Sequence, residues 1–84
     1  MQKYLYSVYD LKAKAYGNPF TAVNRGVATR DFATAVNDPN THLYKYPEDF
    51  VLYCLGKFDD VLGTLEPFST IEVIANGPQF KTEV

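Results

Sequence analysis

"FVLYCLGKFDDVLGTLEPF", residues 50–68, decides the fold of this chain. Side chains alternate across a strand, so Phe50, Leu52 and Cys54 point one way and Val51, Tyr53 and Leu55 the other. Both sets are apolar, and a strand that is apolar on both faces belongs inside a sheet rather than at its rim. "DDVLG" then reads as a turn, with Gly63 free to take a left-handed conformation. "TLEPF" returns antiparallel, so residues 50–68 are predicted to form a hairpin. Pro67 has no N–H to give to a ladder, which makes the returning strand an edge or ends it there.

Working outward, "KYLYSVY" at residues 3–9 alternates in the same way and is a second strand. Tyr4, Tyr6 and Val8 share one face, and Leu5, Ser7 and Tyr9 share the other. Residues 10–19 read as a loop or wide turn closing on "GNP", and "PFTAV" follows as a short extended piece. From Asn24 the spacing becomes helical: Asn24 suits an N-cap, while Ala28, Phe32, Ala35 and Val36 make one stripe. Pro39 in "NDPN" stops that helix. "HLYKYPEDF" is a connection, "TIEVIA" a last short strand or helical turn, and residues 76–84 a loose tail. The expectation is a single α+β domain over residues 1–84, an antiparallel sheet of about four strands with one helix packed on one face.

Composition bounds what such a domain does. With 84 residues it holds one core of modest stability, and 46% hydrophobic with 15% aromatic content marks a folding chain. Cys54 is the only cysteine, so no intrachain disulfide forms, and its apolar neighbours make it a buried packing residue. His42 has no second histidine or cysteine at ligand spacing, so no metal and no cofactor is called for. No apolar run of about 20 residues is present, and none follows Lys3 as a secretory leader requires, so a soluble protein of a reducing compartment is expected. Charge is uneven: residues 1–36 carry five basic against two acidic side chains, residues 37–84 three against eight. A polyanion would therefore meet its attraction in the first half of an acidic protein.

No catalytic constellation stands out. Asp59 and Asp60 are adjacent at the hairpin mouth, where carboxylates serve turns, and the glycines occur singly rather than in phosphate-binding loops. A non-enzymatic, binding role is expected instead. Single-stranded nucleic acid is held by cations along its phosphates and aromatic rings under its bases. The candidates are Lys3, Tyr4, Tyr6, Lys12, Lys14, Tyr16, Arg25 and Arg30. Tyr4 and Tyr6 have two readings, rings packed beneath the helix or rings offered to bases. Lys12 and Lys14 in the loop must be wet, with Tyr16 beside them.

Taken together, "YSVYDLKAKAYGNPF", "NDP" and "YPEDFVLYCLGKFDDVLGTL" resemble the small nonstructural protein of gokushoviruses, single-stranded DNA bacteriophages of the microvirus group. The matching stretches are Tyr6–Asp10, Pro19–Phe20, Ala28–Phe32, Asn37–Pro39 and Tyr46–Asp59, in that order. The resemblance implies a non-capsid protein of the bacterial host cytoplasm that binds single-stranded DNA during viral genome synthesis or handling. It implies no catalytic residue and no cofactor. A pI near 5.1 sets the chain apart from the short basic packaging protein of such phages. Expected partners are single-stranded DNA, a second copy of the chain through an exposed strand edge, and a viral or host replication protein, with no membrane and no metal. The alternative is a protein–protein adaptor that makes no direct contact with nucleic acid.

Overall fold

In the computed structural model, which describes residues 1–80, the 50–68 hairpin forms as its pattern requires. β1 (Gln2–Asp10) is followed by β2 (Ala15–Tyr16), β3 (Phe20–Ala22), α1 (Arg25–Val36) and the one-turn helix α2 (His42–Lys45). β4 (Phe50–Asp59) and β5 (Thr64–Asn76) complete the sheet. Its order is β2-β1-β4-β5, all pairings antiparallel, with β3 also on β1. β2 and β3 share the outer edge of β1: β3 faces Tyr4–Tyr6, and β2 faces Tyr9 and Asp10. The class is α+β, with five strands where about four were expected. The additional strand is β2, inside the stretch read as a loop.

β2 exists because a tight turn reverses the chain after Asp10. The Asp10 carboxylate accepts from Lys12 N at 2.9 Å and Ala13 N at 3.2 Å, and its carbonyl accepts from Lys14 N at 2.8 Å. Lys14 takes a φ of 57° to close the turn, an uncommon conformation for a residue with a side chain. At the far hairpin Asp59 does the same work. Its carboxylate accepts from Val61 N and Leu62 N at 2.9 and 3.1 Å, bonds that hold the carboxyl below its usual value. Gly63 has the left-handed conformation its position called for, φ 69°. Asp59 is thus a turn residue, and Asp60 pairs with the Met1 amino group and Lys3.

"TLEPF" and "TIEVIA" prove to be one strand. β5 runs through Pro67 because it is the sheet edge, where a missing N–H costs no ladder bond, and its register with β4 slips twice to absorb surplus residues.

α1 is capped by Asn24, whose side chain accepts from Val27 N at 2.9 Å, and ends at Asn37. Ala28, Phe32 and Val36 are its buried stripe. They pack on Tyr6, Ala22, Phe50, Leu52, Cys54 and Ala75, which form the core on one side of the sheet. Cys54 is buried there, as its neighbours required, and burial pushes its thiol above the usual value. The segment read as a loose tail is docked as far as Phe80. Gly77–Phe80 form a 3-10 turn, Phe80 meets Phe32 edge-on at 6.1 Å, and its carbonyl accepts from Asn37 Nδ2 at 2.8 Å. Residues 81–84 of that tail lie outside the described residues.

Candidate nucleic-acid interface

Both helices lie on the core side of the sheet, and no described element lies across the other side. That second face presents Leu5, Ser7 and Tyr9 from β1, Val51 and Tyr53 from β4, and Val73 from β5. Tyr16 joins them from β2, directly opposite Tyr9. The result is three tyrosine rings in mutual contact. Tyr9 and Tyr16 are 4.6 Å apart at 53°, Tyr16 and Tyr53 meet edge-on at 5.7 Å, and Tyr9 and Tyr53 at 6.3 Å. Tyr16 is 46% exposed, and Val73 beside Tyr53 is 58% exposed. Partial desolvation, and after it the neighbouring Tyr53 and Tyr9 phenols, raise the Tyr16 phenol above its usual value.

Ser7 holds this arrangement from beneath. It is fully buried, and its hydroxyl donates to the Gly17 carbonyl at 2.7 Å while Gly17 N donates to Val8 O at 2.8 Å. The two bonds fasten the chain just after Tyr16 to β1. Ser7→Ala should cost about 1 kcal/mol of stability, the ordinary worth of a buried hydrogen bond. More tellingly, amide exchange at Tyr16 and Gly17 should accelerate while that of the β4–β5 ladder scales only with global stability. Uniform acceleration would mean that Ser7 has no local fastening role.

The sequence candidates separate into groups. Lys12, Lys14 and Tyr16 stay together, both lysines exposed in the turn that leads to the tyrosine cluster. Lys3 is on the same face but six residues along β1 from Tyr9, roughly 20 Å away at strand rise, and it pairs with Asp60 at 3.6 Å. Tyr4 and Arg25 are on the helix side, where Arg25 pairs with Glu72. Arg30 is exposed on α1 and borders a shallow groove with Ala33, Thr34, Asn37 and Asp38.

Tyr6 cannot offer its ring to a base. It is 0% exposed, stacked on Phe20 at 5.8 Å, and belongs to the core beneath α1. The physical reason is parity: α1 covers the Tyr4–Tyr6–Val8 face of β1, so the wet rings are those of the opposite set. Tyr9 and Tyr53 are the residues that sequence reading missed. Ser7 is the signal that could have found them, since a small polar residue amid apolar ones marks the face less suited to a helix.

Among the described residues no cluster of three His, Cys, Asp or Glu side chains is placed to hold a metal, and no helix is long and apolar enough to cross a membrane.

Comparison with known proteins fits this chain from end to end of its fold. The model of the family described as phage ORF5 protein matches residues 3–80. A protein ORF5 of Chlamydia phage 1 is 35% identical over 85 aligned positions, covering 95% of this chain and 88% of that protein. No solved structure matches. The stretches that resembled the gokushovirus protein, from Tyr6 to Asp59, all lie inside the matched span, and the chain belongs to the phage ORF5 family.

Proposed function

We propose that this phage protein binds single-stranded DNA without catalysing a reaction, on the face of the sheet that no helix covers. The observation that carries this reading is the contact cluster of Tyr9, Tyr16 and Tyr53 beside the Lys12–Lys14 turn. A base laid on exposed tyrosine gains about 1–3 kcal/mol, and two lysines at the edge of the cluster meet the adjoining phosphates. The protein as a whole is acidic, so attraction for a polyanion has to come from local groups of cations such as the lysines of this turn. Such a protein acts during synthesis or handling of the viral genome in the host cytoplasm.

Fluorescence anisotropy with a labelled oligothymidylate, repeated across a salt series, tests the reading. Tyr16→Ala should weaken binding roughly fivefold to a hundredfold. Lys12→Gln and Lys14→Gln should each flatten the logarithmic salt dependence by about 0.7, the single-strand value per phosphate contact. Arg30→Gln, on the helix layer, should change neither quantity. Absence of binding at low salt would overturn the proposal.

One observation favours a protein partner as a second reading. The hairpin tip exposes Val61 (77%) and Leu62 (72%) next to Asp59 and Asp60, the latter paired with Lys3. Recovery of one protein with the nuclease-treated chain, lost on Leu62→Asp, would support an adaptor role. A second copy of the chain or a replication protein is the candidate there.

A further inference from the structure

The face of the sheet opposite α1 has four ranks across β1, β4 and β5, which begin on β1 with Lys3, Leu5, Ser7 and Tyr9. Their partners on β4 and β5 are apolar or aromatic side chains or glycine, except Asn76 at one end. Ser7 is buried, so Lys3 is the one charged group in the four ranks. We propose that this face is also the interface of a homodimer, in which two copies pack sheet on sheet with their strands antiparallel. Single-stranded DNA and the second copy then compete for it.

The polarity of the face calls for a cover. An antiparallel sheet with one helix layer ordinarily turns polar side chains to water on its other side. Here the outward set is apolar, with Val73 58% and Leu65 64% exposed. Near the middle, Leu5, Leu55, Leu65 and Pro67 border a hollow of about 290 Å³. Lys57 and Glu66 also border it, but they share the Tyr4 rank and belong to the other side of the sheet. Leucine and proline give a nucleic acid neither charge nor stacking ring, whereas a second apolar sheet buries them.

Area favours a second copy. β1 is nine residues long, about 30 Å at strand rise, and three strands are about 15 Å wide, so the face covers about 450 Å² in plan. Two copies bring together about 900 Å² in plan, and the relief of the side chains carries the accessible area past the roughly 1,000 Å² expected of a specific interface. A patch of several hundred Å² is also larger than soluble monomers ordinarily leave to water.

Charge chooses the orientation. The Lys12–Lys14 turn follows Asp10 at one end of β1, and Asp59 and Asp60 are beside Gln2 and Met1 at the other. With strands antiparallel across the interface, each acidic hairpin tip lies over the lysine turn of the other copy. Parallel stacking would set lysine turn on lysine turn. Asp60 already pairs with the Met1 amino group and Lys3, so these charges select an orientation more than they add affinity. The same orientation brings the exposed Val61 and Leu62 of each tip toward the Tyr16 ring of the other copy. The competition, though not the dimer, rests on the DNA reading of this face: Tyr9 and Tyr53 cannot meet both a base and another sheet.

Sedimentation equilibrium of the full chain without DNA, from about 1 μM to about 1 mM, tests the dimer. A reversible monomer–dimer equilibrium with a Kd of about 1–100 μM is expected for an interface of this size. Val73→Lys and Leu65→Lys, both at exposed positions, should each weaken it at least about tenfold by placing a charge against the second copy. Thr34→Lys, exposed on α1, should leave it unchanged. In a mixed sample of labelled and unlabelled chains, isotope-filtered NMR should show Leu62 methyls against the Tyr16 ring, residues at opposite ends of one copy. A dimer without that contact overturns the antiparallel arrangement. Saturation with a short oligothymidylate should replace the dimer by a complex of one chain with DNA, and a dimer that persists with DNA bound overturns the competition. A dimer that ignores DNA altogether supports the interface and overturns the DNA reading instead. A chain still monomeric at about 1 mM, or a dimer insensitive to both Val73→Lys and Leu65→Lys, overturns the proposal.

Discussion

Gly77→Ala is expected to lower the urea midpoint sharply, with a loss of about 2–4 kcal/mol. Gly77 is buried where the chain leaves β5 and crosses the 3-10 turn at Pro47–Asp49. A Cβ at this position would run into the Pro47 carbonyl, lying 2.7 Å from its carbon and 3.0 Å from its Cα. Those atoms are backbone, held by the start of β4, and cannot swing aside as a side-chain tip would. Overpacking a core ordinarily costs about 1–3 kcal/mol, and contact against fixed backbone belongs at or beyond the top of that range. Stability for a chain of this length is on the order of 4–13 kcal/mol, so the variant gives up a large share. The local signature is release of Phe80: the Asn37 side-chain amide should lose its bond to the Phe80 carbonyl and shift in NMR spectra. A midpoint within error of the parent would show that residues 77–80 do not dock against Pro47.

Phe32→Ala should cost about 3–5 kcal/mol, as removal of a buried aromatic ring does. Phe32 is 2% exposed at the centre of the α1 stripe, between Ala28 and Val36, with Phe80 edge-on to its ring. The larger core residues, Tyr6, Phe50, Leu52 and Val36, are held in place by the strands and helix that bear them, and such sites collapse only in part. A cavity therefore remains. At about 4–8 °C per kcal/mol for a small domain, the thermal midpoint should drop by more than about 10 °C. Because α1 covers only the core face, the tyrosine contacts on the other side should persist wherever the variant is folded, and near-ultraviolet circular dichroism can follow them. A drop of less than a few degrees would mean that α1 does not carry the core.

The elements most legible in the sequence are those whose pattern is their own cause. Apolar alternation from Phe50 placed β4 in the sheet interior, and Asn24 with Pro39 bracketed α1. What was not legible depends on partners distant in the chain. β2 is a strand only because Asp10 folds the turn back and Tyr9 receives Tyr16. β5 is continuous because an edge tolerates Pro67, and only the assembled sheet makes it an edge. Gly77 and Phe80 look like tail residues until Pro47 and Phe32 are beside them.

The candidate site follows the same division. The Lys12–Lys14–Tyr16 group was evident because those residues are local to one turn. Tyr4 and Tyr6 were grouped with it because they are near in sequence, yet alternation sends them through the sheet to the opposite side. Which side is wet depends on where α1 lands, and both faces of β1 carry enough apolar surface to receive a helix. Arg25 and Arg30 were drawn in by their charge, but the helix that bears them is on the core side.

The pairing of β1 with β4 has a consequence for how the protein folds. Gln2 meets Asp59 and Asp10 meets Phe50, so β1 has its principal partner 40 to 57 residues further along the chain. Without it β1 can gather only β2 and β3, two short ribbons that cannot bury the Tyr6 ring without α1 and β4. Contacts so far apart in sequence form late and slow the search for the native state. Until β4 is in place, β1 is an adhesive, tyrosine-rich strand without its principal partner. Folding is completed only when the hairpin of β4 and β5 closes over it.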